Sequence, residues 1–197
     1  MARPRPARRG PTASSADATH DAPRYQALYC EENVYHLCSH PAVARRSPAA
    51  VFIRGAGAHC VMWHQRLSQG PGAPVVWDYH VVLLARDPWQ IWDLDSTLAR
   101  PLGAATYLRR SLRPELRLRD DLVPWLRVVD AAELVATFAS DRSHMRTADG
   151  GWQAPPPPWP AIGEGSTLAR FLDRADTIAG EVLTVPALLA RVGAAHG

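Results

Sequence analysis

The apolar positions fall into separate runs, and the densest is Pro74–Leu98, PVVWDYHVVLLARDPWQIWDLDSTL. Val75–Leu84 is an almost unbroken apolar and aromatic run with several β-branched residues, and Trp89–Asp95 is a second, shorter one. Between them, Ala85-Arg86-Asp87-Pro88 is a polar break whose Pro cannot donate to a sheet ladder. The pattern predicts two antiparallel strands joined by a short turn. With the tip between Arg86 and Asp87, His80 faces Asp93, Asp78 faces Asp95, Val82 faces Ile91 and Leu84 faces Trp89. Directly opposed side chains have Cβ atoms about 4.5–5.5 Å apart. A one-residue slip would turn the second strand's side chains to the other face.

Tyr25 to His40 has helical period, with Val34, Leu37 and Cys38 on one face and Pro41 as the stop. Ala50–Arg54 and Cys60–His64 predict short strands around the Gly-Ala-Gly turn at 55–57. Ser96–Arg119 reads as loop plus helix, Trp125–Asp130 as a strand, and Ala131–Ser140 as a helix with Leu134, Val135 and Phe138 on one side. Asp141–Met145 is a polar cluster after that helix. Trp152–Pro160 (WQAPPPPWP) predicts a polyproline segment laid over the surface with Trp152 and Trp159 as anchors. Thr167–Asp173 and Val185–Val192 predict short helices. The sum is an α/β (α+β) single domain over 23–197, an antiparallel sheet packed by helices. Met1–Ala22 is rich in Pro, Arg, Ala, Ser and Thr without periodicity, and is expected to be a disordered basic tail.

Composition narrows the chemistry. The chain has 197 residues, 47% of them hydrophobic, enough for one domain with a substantial core. Its formal charge is +3, but residues 1–22 hold four Arg and two Asp, so the domain itself is close to neutral. No nucleic-acid partner is expected. All 22 basic residues are Arg. Without Lys there is neither Schiff-base chemistry nor a P-loop lysine, and no Gly-rich phosphate loop follows a strand. Three cysteines, Cys30, Cys38 and Cys60, are too few and odd in number for a disulfide scaffold, which fits a reducing, cytoplasmic setting. No apolar run approaches the roughly 20 residues of a membrane span, and the Arg-containing N-terminus lacks the apolar core of a secretory signal.

His80 opposite Asp93 allows two readings. The carboxylate can accept one imidazole N–H, fix the tautomer and leave the other nitrogen free as a base; or the two can merely satisfy each other in a core. Cys30 also allows two. A thiol at a helix start feels exposed N–H groups and the positive end of the macrodipole, which favours thiolate, while Glu31 and Glu32 oppose it; or it is a small core-filling residue, as Cys38 is expected to be. The set Cys30, His36, Cys38 and His40 matches no zinc spacing, and a helix would scatter it over several faces. No metal and no cofactor are expected.

A Cys at a helix start, then a His on one strand and an Asp on the next, resembles the papain-like and transglutaminase-like thiol hydrolases. Five segments resemble one family more closely: Tyr29–Asn33 (YCEEN), Pro74–Leu84, Asp93-Leu94-Asp95, Phe138–Met145 (FASDRSHM) and Pro155–Pro160. In this order they are similar to the signature segments of the protein N-terminal glutamine amidohydrolase family, over Tyr25 to about Gly193. Trp159 stands where that family suggests Tyr, and the segment after Cys38 is short.

The resemblance implies a catalytic triad of Cys30, His80 and Asp93. It implies hydrolysis of the side-chain amide of an N-terminal Gln on proteins or peptides, giving N-terminal Glu and ammonia and feeding an N-degron pathway. Recognition of the terminus needs an acid for the α-ammonium, with Glu31, Asp78 and Asp95 as candidates. Asp78 and Asp95, if opposed, would need a cation between them, either the substrate ammonium or Arg142. A monomer is expected. The alternatives are a transglutaminase- or peptidase-type thiol enzyme acting on internal residues, and a non-catalytic N-terminus-binding module.

Overall fold

A computed structural model describes residues 22–194; the tail expected over 1–22 lies outside them but for Ala22. Among the described residues the elements run α1 (Cys30–Leu37), β1 (Ala49–Gly55), β2 (Cys60–Met62), β3 (Val75–Trp77), β4 (His80–Ala85), β5 (Gln90–Trp92), β6 (Leu102–Gly103), α2 (Ala104–Leu112), β7 (Pro124–Asp130), α3 (Ala131–Thr137), α4 (Leu168–Phe171), β8 (Glu181–Thr184) and α5 (Val185–Ala194). Six strands form one antiparallel sheet in the order β6-β5-β4-β1-β7-β8, while β2 and β3 pair separately.

Alternation along β1 explains why the central strands read as continuous apolar runs. Ala50 and Phe52 pack with α1, α3 and α4 on one face, and Ala49, Val51 and Ile53 pack with α2 and α5 on the other. Both faces are covered, so no polar face interrupts the pattern. Arg127 on β7 is the exception, and is 1% exposed. Its guanidinium donates to the carbonyls of Phe171, Asp173, Asp176 and Ala179, fastening the α4–β8 connection to the sheet.

The expected hairpin differs in two ways. First, Val75–Leu84 is two strands. β3 pairs with β2 (Cys60↔Trp77, Met62↔Val75), the chain breaks at Asp78 and Tyr79, and only β4 joins the main sheet. Second, β4 and β5 pair as Leu83↔Trp92, Leu84↔Ile91 and Ala85↔Gln90. The turn spans Arg86–Trp89, with Asp87 in the left-handed region (φ 56°) that an Asp tolerates. A shift of two residues preserves which face each side chain occupies, so His80 and Asp93 still share one.

The first helix starts at Cys30, five residues later than its pattern. Before it, the Asn33 side chain bonds the backbone N–H and carbonyl of Gln26, and Leu28 is left-handed (φ 67°), so Tyr25–Tyr29 is held as a turn. Leu134 in α3 and Phe138 just after it are buried but Val135 is 47% exposed, because only positions four apart meet the core. The Pro-rich segment lies over α1. The Trp159 indole N–H donates to Glu32 Oε2 (2.8 Å), and the Trp152 ring is capped by Arg146 at 3.6 Å.

Candidate active site

Cys30, His80 and Asp95 meet in one cleft of about 620 Å³, with Trp77, Tyr79 and His144 on its walls. Cys30, the first residue of α1, is 8% exposed. Its thiol donates to Glu31 Oε2 at 3.6 Å. The N–H groups of the first helical turn have no intrahelical acceptor and converge at this end of α1.

His80 opens β4 with its ring stacked on Trp77 (centroids 5.3 Å apart, 17° between planes). Its Nε2 lies 2.9 Å from Asp93 Oδ1, with both side chains 1% exposed. Asp93 accepts three further bonds: the Asp95 backbone N–H on Oδ1, and Gln65 Nε2 (3.0 Å) and the Tyr107 hydroxyl (2.7 Å) on Oδ2. Burial favours the neutral acid, but the His80 charge and these donors outweigh it and hold the carboxyl down at about 2. An ionised Asp93 only accepts, so Nε2 carries the proton. The other nitrogen, Nδ1, is buried without a hydrogen-bond partner. Burial pulls the His80 value down, but the Asp93 charge and hydrogen bond, then the Asp95 and Glu31 charges, raise it on balance above the ordinary histidine value.

The three acids named from sequence separate. Asp95 is buried and borders the cleft, its Oδ1 accepting the Tyr25 hydroxyl (2.6 Å), and burial raises its value. Glu31 is enclosed, its Oε2 taking the Tyr79 hydroxyl (3.0 Å) as well as the thiol, with His144 Nε2 3.4 Å from Oε1. Asp78 does not face Asp95. It stands on the rim, its side chain 85% exposed, paired with His59 at 3.2 Å, because the break between β3 and β4 turns it outward. Arg142 does not lie between carboxylates of the cleft either. It is paired with Glu32 through two 2.8 Å bonds.

His80, Asp93 and Asp95 each offer an atom within 4.8 Å of the others, the one such cluster of His, Cys, Asp and Glu among the described residues. His80 Nε2, both Asp93 oxygens and Asp95 Oδ1 are committed to the hydrogen bonds above, which makes the cluster a proton network. Cys30, His36, Cys38 and His40 form no such group there. Gln65, Tyr25, Tyr79, Trp77, Tyr107 and His144 join the site without any spacing signal in the sequence. They come from β3, loops, an N-terminal turn, α2 and the short turn at Ser143–Met145.

The model for the N-terminal glutamine amidase family matches residues 25–192. A protein N-terminal glutamine amidohydrolase of Arabidopsis thaliana is 38% identical over 155 residues, 72% of this chain and 70% of the relative. Those of Danio rerio and Homo sapiens are 38% and 36% identical, covering 70% and 80% of this chain and 71% and 80% of their own. With a match over nearly all of the described residues, the chain belongs to the N-terminal glutamine amidase family.

Proposed function

We propose that the protein hydrolyses the side-chain amide of an N-terminal Gln on proteins or peptides through a thioester on Cys30, with His80 as proton carrier and Asp93 as its anchor. The carrying observation is the His80–Asp93 bond at 2.9 Å, which leaves Nδ1 unpartnered on a ring whose residue lines the same cleft as Cys30. The Cys30 sulfur, its proton passed to His80, attacks the Gln side-chain carbonyl carbon, and the oxyanion is met by N–H groups at the start of α1. The amide nitrogen takes the proton from His80 and leaves as ammonia. Water then adds to the thioester, giving its proton to His80; the C–S bond breaks and N-terminal Glu is released.

The raised His80 value suits the acid half of this cycle. We assign the substrate α-ammonium to Asp95, which borders the cleft, and to Glu31, enclosed beside the thiol, and not to Asp78, which stands exposed on the rim. Choosing Gln over Asn is a one-methylene discrimination worth roughly 1–3 kcal/mol from fit alone. The residues of the proposed site come from one chain, which suits a monomer. The cysteines are free and buried, and no described helix is long and apolar enough to cross a membrane. We assign the enzyme to the cytoplasm, with no nucleic-acid partner, and its product, an acidic N-terminus, to an N-degron pathway.

The test is ammonia release from a peptide with free N-terminal Gln, beside the N-acetylated peptide, an Asn counterpart and a Cys30→Ala variant. Release from the free Gln peptide alone, abolished in the variant, is expected. Equal release from the acetylated peptide would give the site to a general glutamine deamidase. No release by a folded protein would leave an N-terminus-binding module.

A further inference from the structure

Glu31 is placed where a carboxylate obstructs the chemistry just described. Its side chain is fully enclosed, and its Oε2 accepts the Cys30 S–H at 3.6 Å and the Tyr79 hydroxyl at 3.0 Å. Oε1 is buried and accepts no hydrogen bond, although the His144 ring, which borders the cleft, stands 3.4 Å away. A thiol that donates to Glu31 is not donating to Nδ1 of His80, which waits without a partner. Burial first, then the Glu31 and Asp95 charges, push the thiol well above its ordinary value. The resting site therefore holds a neutral thiol hydrogen-bonded to Glu31, with Asp95 bordering the same cleft.

We propose that Glu31 couples recognition of the free N-terminus to the nucleophile: in the resting enzyme it holds the Cys30 proton, and the substrate α-ammonium, docking against Glu31 and Asp95, frees that proton to pass to Nδ1 of neutral His80. The proposal rests on the thiol-amidase reading above. One S–H bond breaks and one N–H bond forms; the ammonium keeps its own protons and supplies only charge and a donor for Oε1. An acetylated terminus brings neither, so it is refused at the nucleophile as well as in binding. Selection for a chain terminus then comes from the same carboxylate that keeps the thiol quiet in the absence of substrate.

The probe is the wild-type enzyme alkylated with iodoacetamide at fixed pH, with Cys30 followed by the mass of its peptide. Glycinamide carries the α-ammonium but no side chain to cover the sulfur; N-acetylglycinamide is the neutral control. Cys38 and Cys60, buried and pushed up to about 12, serve as unreactive references. A tenfold gain in thiolate raises the alkylation rate about threefold, because nucleophilicity falls as the thiol becomes more acidic. Glycinamide is expected to speed Cys30 alkylation about threefold or more while the acetylated control does not. Glu31→Gln is expected to react fast without glycinamide and ignore it, and Glu31→Asp to restore the slow, responsive thiol. Equal rates with the two amides, or a folded Glu31→Gln as slow as wild type, would overturn the proposal; if that variant does not fold, the wild-type comparison still decides. Ammonia release and its loss in Cys30→Ala are read separately. An enzyme that turns over free Gln but whose thiol ignores glycinamide keeps the first reading and loses this one.

Discussion

Replacing Asp93 by Asn tests the anchor of the site, and the hydrogen bonds predict an uneven outcome. The Asn keeps one oxygen, which can stay on His80 Nε2, and places an NH2 where Oδ2 accepted Gln65 and Tyr107. Gln65 Oε1 is buried and unpartnered, so a flip of that amide presents an acceptor to the new NH2, and the Tyr107 hydroxyl can rotate to accept. The tautomer of His80 therefore survives, and what is lost is the negative charge. A carboxyl held at about 2, well below the ordinary aspartate value, contributes roughly 2–3 kcal/mol to folding, which for a domain of this size is a Tm lower by roughly 5–10 °C in the variant. The sign is fixed. Stability from a depressed carboxyl is present above its unfolded value near 4 and is lost as pH falls through about 2. The Tm difference should hold between pH 5 and 7 and close towards pH 2. Activity should fall roughly 10²–10⁴-fold, in kcat more than KM, because the imidazolium that protonates ammonia loses its counter-charge. A Tm gap that ignores pH, or a kcat within about threefold of wild type, would refute the reasoning.

Two further substitutions test the scaffold. Arg142→Met leaves Glu32, fully enclosed, without its cation and is expected to cost about 3–5 kcal/mol in chemical denaturation; adding Glu32→Gln should recover part of that, and no recovery would mean that the charge pair is not the cause. Gly180→Ala places a Cβ 2.4 Å from the Val128 carbonyl oxygen at φ +75°, with an expected cost of about 2 kcal/mol or more, and a variant as stable as wild type would show that the β7–β8 approach is looser than this geometry.

The pairing of His80 with Asp93 was legible because period two survives a register shift of two. Asp78 was not, because β3, though half-exposed, is as apolar as the buried β4, so no change of composition marks where the chain leaves one sheet for another. The helix bearing Cys30 was legible from the apolar positions of α1 and Pro41, but its start was not, because the turn that delays it depends on Asn33 reaching back to Gln26. Gln65 and Tyr107 have no local pattern; only the folded sheet brings them to one carboxylate. β8 escaped notice because Glu181–Thr184 is a short, half-exposed edge strand, legible neither by burial nor by length.

The clamp over α1 bears on the order in which the site comes into being. Glu32 waits for Arg142, 110 residues later, and for Trp159, 127 residues later, and the Tyr29 hydroxyl for the Ala154 carbonyl, 125 residues later. At the usual pace of translation that interval is roughly 6 to 25 s. Tyr79, the partner of Glu31, follows only 48 residues after it, but Glu32 stays unmatched throughout the longer interval. The helix that bears Cys30 is among the first parts made and among the last secured, so a ribosome stalled before Arg142 holds Cys30, His80 and Asp93 on a chain whose first helix is still unclamped.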